Sequence, residues 1–168
     1  MKTEIPAFLS HLPVSEKGYP VPFFAPFVGG KPDFRLMDGR KWKACAERGL
    51  CSICGKKLNV AKYFITGPLG LKNGVQSDPP MHRHCALYSI QYCPHLASER
   101  ASRRDIPGIE ANAFQVEARP EMVFLIKTRK AKPDSSLNIF KFKPEAFWQV
   151  PYSGGKVDIG RLHEIMKA

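Results

Sequence analysis

The chain has 168 residues with 43% apolar and 11% aromatic content, enough to build one domain with a real core and too apolar for a disordered chain. Lys and Arg outnumber Asp and Glu by 26 to 15, a formal charge of +11 that favours polyanionic partners, nucleic acid or an acidic protein, and that a merely well-solvated basic surface would also carry. No window approaches ~18 uninterrupted apolar residues and the N-terminus lacks a long apolar stretch, so the expectation is a cytoplasmic protein without a membrane span, whose five cysteines stay reduced.

Residues 1–38 are rich in proline (Pro6, Pro13, Pro20, Pro22, Pro26, Pro32), which opposes helix. The run PVPFFAPFV, then Gly29-Gly30, then DFRLM reads as a hairpin with an irregular edge strand. Residues 39–48 read as a helix that packs Trp42 and Cys45 and ends at Gly49. A strand follows from Tyr63 to Thr66, then a glycine- and proline-rich loop, then a helix from about Met81 to Tyr92, opened by Asp78-Pro79-Pro80 and closed by Pro94. Residues 98–113 are polar and broken by Pro107 and Gly108, which predicts a loop. MVFLIKT and SLNIFKF read as the two strands of a second hairpin, joined by the basic turn RKAKPDS. The C-terminus reads as a short helix capped by Asp158, with Ile159, Leu162, Ile165 and Met166 at helical spacing. The predicted fold class is α+β, a single domain over 1–168 with a proline-rich hairpin region (1–38), a metal-binding core (39–97), a loop (98–118), and a C-terminal hairpin and helix (119–168).

The chemistry concentrates in cysteine and histidine. Cys51-Ser52-Ile53-Cys54-Gly55 is a C-x2-C turn followed by glycine, which brings two thiolates onto one metal and lets backbone amides face the sulfurs. Further along stands His82-Arg83-His84-Cys85, at the predicted start of a helix. Residues three apart share a helix face, so His82 and Cys85 can address one ion while His84 diverges from Cys85; His84 in place of His82 is the alternative ligand set. Cys51, Cys54, His82 and Cys85 would hold zinc with every position filled by protein, a structural rather than catalytic arrangement. The order of knuckle, hairpin and ligand-bearing helix resembles the treble-clef zinc fold. Cys45 reads as a core thiol, Cys93 as buried or as half of a redox pair with Cys85, and His11 and His163 as ordinary.

The segments LPVSEKGYPVPFF, PDFR, CSICG, FITGPLG, SDPPMHRHCALYS and CPHL, in that order, resemble a widespread set of uncharacterised bacterial and prophage proteins. The resemblance implies the pairing of C-x2-C with Pro-Pro-x-His-x-x-Cys, hence His82 rather than His84, and a Cys-Pro after the helix, matching Cys93-Pro94. It implies no activity.

Two stretches carry the charge excess: residues 35–62, with eight basic against two acidic residues, and residues 119–143, with seven against two. Lys41, Lys43, Lys56, Lys57, Lys127, Arg129, Lys130 and Lys132 are the candidate nucleic-acid contacts. Aromatics beside basic residues, Trp42 with Lys41 and Lys43, Tyr63 and Phe64 with Lys62, and Phe140 and Phe142 with Lys141 and Lys143, could stack on bases while the lysines meet phosphates, though Phe140 and Phe142 read better as the buried face of a strand. A metal-dependent nuclease of related layout needs a histidine base between the two ligand pairs, and residues 55–81 contain none.

Overall fold

The computed structural model describes residues 4–97 and 122–168; the predicted loop over 98–118, together with Arg119 and Glu121, lies outside the described residues. The N-terminal segment contains one 3-10 turn, Ala7–Leu9, that buries Leu9. The first hairpin forms but is only two residues deep: β1 (Phe27–Val28) pairs with β2 (Lys31–Pro32) across Gly29-Gly30. Prolines on both sides lack the N–H that a longer ladder would use. Helix α1 (Gly39–Arg48) has the predicted span. The Asp38 carboxylate accepts from the Arg40 and Lys41 amides, and at the other end the Gly49 N–H donates to the Cys45 carbonyl.

Strand β3 (Lys62–Thr66) leads not into a loop but into helix α2 (Pro68–Asn73), with Pro68 in the first turn, where its missing N–H costs nothing. This helix crosses back over the end of β3 so closely that any Cβ on Gly70 would collide with Thr66 Oγ1. Beyond it β4 (Val75–Gln76) is tied to β3 by Gln76 Nε2, which donates to the Ile65 carbonyl at 2.9 Å. The FITGPLG stretch is therefore a strand-to-helix crossover. Helix α3 (Arg83–Tyr92) and the single turn α4 (Pro94–Ala97) complete the first half.

The second half corrects the predicted hairpin. RKAKPDS is largely a strand: β5 (Phe124–Thr128) is followed directly by β6 (Lys130–Asp134), β7 (Ile139–Lys143) and β8 (Ala146–Gln149), and then by β9 (Tyr152–Ser153), β10 (Lys156–Val157) and α5 (Ile159–Lys167), which Asp158 caps as predicted. Strands β5 and β7 belong to different antiparallel sheets, ordered β3-β5-β8 and β4-β7-β6. The reason lies in their side chains. Strand β5 is apolar on both faces, through Leu125 on one and Ile126 on the other, and needs a central place covered on both sides; β7 alternates Phe140 and Phe142 with Lys141 and Lys143 and needs one wet face. Thr128, fully buried at the passage between the sheets, donates its hydroxyl to the Lys143 carbonyl at 2.6 Å and accepts from the Lys130 amide at 2.9 Å.

Two apolar clusters lie on opposite faces of the β3-β5-β8 sheet. Trp42, Phe64, Ile126, Phe140 and Phe142 fill the space beneath the β4-β7-β6 sheet. Tyr63, Leu125 and Ile65 face the larger cluster, which includes Leu9, Leu12, Met81, Ile90, Val150 and Leu162 together with Cys51, Cys54 and Cys85. No helix of the described residues is long and apolar enough to cross a membrane.

Candidate metal centre

The Cys51–Cys54 turn is closed by backbone bonds, Gly55 N–H to the Cys51 carbonyl at 2.9 Å and Cys51 N–H to the Lys56 carbonyl at 2.8 Å. The Cys54 amide is directed at the Cys51 sulfur and the Lys56 amide at the Cys54 sulfur, so the turn presents positive dipoles to both thiols. Gly55 has φ +73°, and a Cβ there would sit 2.8 Å from the Phe23 ring. The N-terminal segment straps the turn from outside: Phe23 and Phe24 amides donate to the Ile53 and Ser52 carbonyls, and His11 Nε2 lies 2.7 Å from the Cys54 carbonyl oxygen. His11 thus has a partner that its sequence surroundings do not suggest, because the contact spans 43 residues.

The second pair is delivered by β3. Met81 and Tyr63 exchange both backbone hydrogen bonds at 2.9 Å, which fixes the residue before His82 against the strand. His82 is the extended residue just ahead of α3 and Cys85 lies one turn inside it, on the same side. All four residues are buried, and their ligand atoms lie within 4.8 Å of one another. His82 Nδ1 is 3.4 Å from Cys54 Sγ and 3.9 Å from Cys85 Sγ, either side of the ~3.6 Å edge that ordinary zinc–sulfur and zinc–nitrogen bond lengths give in a tetrahedron. His82 Nε2 lies 2.9 Å from the Lys57 carbonyl; as a donor to that oxygen it leaves the Nδ1 lone pair facing the sulfurs, the orientation a metal ligand requires. The donor set and its setting therefore suit a metal ion. His84 stands apart, exposed, its ring stacked on His82 at 5.0 Å and met edge-on by Phe8 at 4.4 Å. Cys45 is buried in the core, and Cys93 is half-buried outside the four-residue cluster.

Three thiols packed together cannot ionise independently. Hydrogen bonds from Cys51 and Cys85 hold the Cys54 thiol well below the usual range, while its neighbours go the other way: burial and the adjoining Cys54 push Cys51 up to about 11, and the contacts with Cys51 and Cys54 push Cys85 up. Burial, reinforced by Cys51 and Cys54, raises Cys45 to about 12. A cation bound there would displace the protons that the raised Cys51 and Cys85 thiols hold. Metal affinity should therefore rise with pH and weaken steadily as pH falls, because protons compete for the raised thiols. A zinc-competition titration at several pH values measures that dependence; affinity independent of pH contradicts it.

The candidate nucleic-acid contacts fall into different settings. Lys41 Nζ donates to the Ala25 carbonyl at 3.0 Å and lies over the Phe23 and Phe27 rings, and Lys57 Nζ donates to the Arg48 carbonyl at 2.7 Å. Lys43 is ion-paired with Glu47 at 3.7 Å, Arg129 with Glu145 at 3.7 Å, and Lys127 is half-buried in β5. Lys56, Lys130 and Lys132 are exposed. Every aromatic named for base stacking is buried: Trp42, Tyr63, Phe64, Phe140 and Phe142 all face the core. Two lysines outside the predicted contact set, Lys141 and Lys143, are exposed beside Lys132 and Lys130. The alternation of IFKFK, which in the sequence reads as burial of one strand face, places them there.

Comparisons with family models, curated proteins and solved structures yield no match for this chain.

Proposed function

We propose that the protein is a zinc-binding module in which Cys51, Cys54, His82 and Cys85 hold a structural zinc in a treble-clef-like centre, and that its basic surface binds nucleic acid. The observation that carries the first part is the buried four-donor cluster itself, three thiols and an oriented imidazole, which leaves no position for a substrate. Bound there, zinc would supply cross-linking: it would join the 51–55 turn to the start of α3, while the Tyr63–Met81 pairing supplies the hairpin-like element between them. With the metal position filled by protein, function falls to the surface. The charge excess favours a polyanion, and nucleic acid is the polyanion that a sequence-independent basic surface binds most generally. Bacterial or phage origin belongs to the same reading, on the order of the sequence motifs alone.

Filter binding with mixed-sequence DNA and RNA over a series of salt concentrations tests the partner class. Retention that falls steeply with salt is the expected result. Absence of retention at low salt contradicts it and directs attention to an acidic protein instead.

A further inference from the structure

The lysines of β6 and β7 form one surface. Lys130 lies directly opposite Lys143 and Lys132 directly opposite Lys141, and all four are exposed, while the alternate residues Phe140 and Phe142 point into the core. Only Lys141 has an ion-pair partner among the described residues, Asp134 at 3.0 Å. Like charges placed opposite each other across a ladder work against the fold that holds them. A polyanion laid across the ribbon relieves that repulsion.

Resting on the nucleic-acid reading above, we propose that the outer face of the β6–β7 ribbon is the nucleic-acid surface and that it grips the phosphate backbone of double-stranded DNA. Side chains two apart on a strand repeat every ~7 Å and neighbouring strands lie ~5 Å apart, so the four ammonium groups form a compact quartet on the outer face of the three-stranded β4-β7-β6 sheet, at its β6 edge, where they can meet backbone phosphates together. The face offers lysine ends and no exposed aromatic ring, since the strands' aromatics are spent on the core. Single-strand binding draws on stacked bases, whereas phosphate contacts alone suit a duplex and carry no sequence preference.

Fluorescence anisotropy with a labelled duplex, and with one of its strands alone, tests this surface on wild type, on Lys130→Gln/Lys132→Gln/Lys143→Gln, and on Lys17→Gln/Lys156→Gln, whose two lysines are exposed elsewhere, each checked for folding by circular dichroism. Four phosphate contacts predict that the wild type loses about 150-fold in duplex affinity between ~50 and ~200 mM salt. The ribbon triple variant should lose only about 4-fold over that range, having one contact left, and should bind at least roughly tenfold more weakly at low salt while staying folded. Lys17→Gln/Lys156→Gln should bind like the wild type. A triple variant that binds duplex as the wild type does overturns the ribbon assignment and leaves nucleic-acid binding standing. Tighter binding to the single strand overturns the duplex assignment. A wild type that binds neither probe overturns the parent reading and this one with it.

Discussion

Cys54→Ser should purify without stoichiometric metal and melt about 10 °C below the wild type, the loss of several kcal/mol in a chain of this size. Cys54 carries this effect because it occupies the centre of the cluster. Its sulfur is 3.4 Å from His82 Nδ1 and is held below the usual thiol range by hydrogen bonds from both other thiols. A serine hydroxyl is not a thiolate, and a soft, deprotonated sulfur is what the site supplies to zinc. The damage spreads beyond the metal. His11, Phe23 and Phe24 are all anchored on carbonyls of the 51–55 turn, so once that turn loosens the proline-rich N-terminal strap, which has little secondary structure of its own, loses its docking. Calorimetry beside metal analysis measures both consequences, and a metal-free variant with an unchanged melting temperature contradicts the structural role.

Phe64→Ala should destabilise the fold by about 4 kcal/mol while leaving any bound metal in place. Phe64 has no exposed surface and stacks on Phe142 at 4.7 Å, with Phe140 at 6.2 Å, so its ring fills the space between the two sheets. Removing it opens a cavity that backbone on both sides, held by β3-β5-β8 pairing above and β4-β7-β6 pairing below, cannot collapse to fill. Tyr63, the preceding residue, points to the other face and holds Met81 ahead of the candidate metal ligands, so the cluster is insulated from the cavity. Urea denaturation of the metal-loaded protein gives the number; a loss under about 1 kcal/mol contradicts the view that this ring joins the sheets.

Local sequence signals recovered local structure. Asp38 and Gly49 bracket α1 because a capping carboxylate and a terminal glycine act within one turn, and Asp158 starts α5 for the same reason. The α+β class and the convergence of Cys51, Cys54, His82 and Cys85 were legible through thiol spacing and the i, i+3 rule. Strand partnership was not. MVFLIKT and SLNIFKF are adjacent in the chain and both strand-like, but β5 is apolar on two faces and was drawn between β3 and β8, while the segment read as a turn became the true neighbour of β7. Nor could sequence place His11 on the Cys54 carbonyl or the Lys57 carbonyl on His82, since both depend on chain crossings far apart in sequence. The same applies to charge. Counting basic residues put Lys127, Arg129, Lys130, Lys132, Lys141 and Lys143 in one stretch, whereas pairing register sets Lys141 and Lys143 opposite Lys132 and Lys130, apart from the half-buried Lys127 and the ion-paired Arg129.

The most direct measurement is elemental analysis of wild type, His82→Ala and His84→Ala purified side by side. One zinc per chain in the wild type and in His84→Ala, with zinc lost or exchangeable by a weak chelator in His82→Ala, is the predicted result. A wild type without bound metal, or one whose metal depends on His84 and ignores His82, contradicts the centre described above.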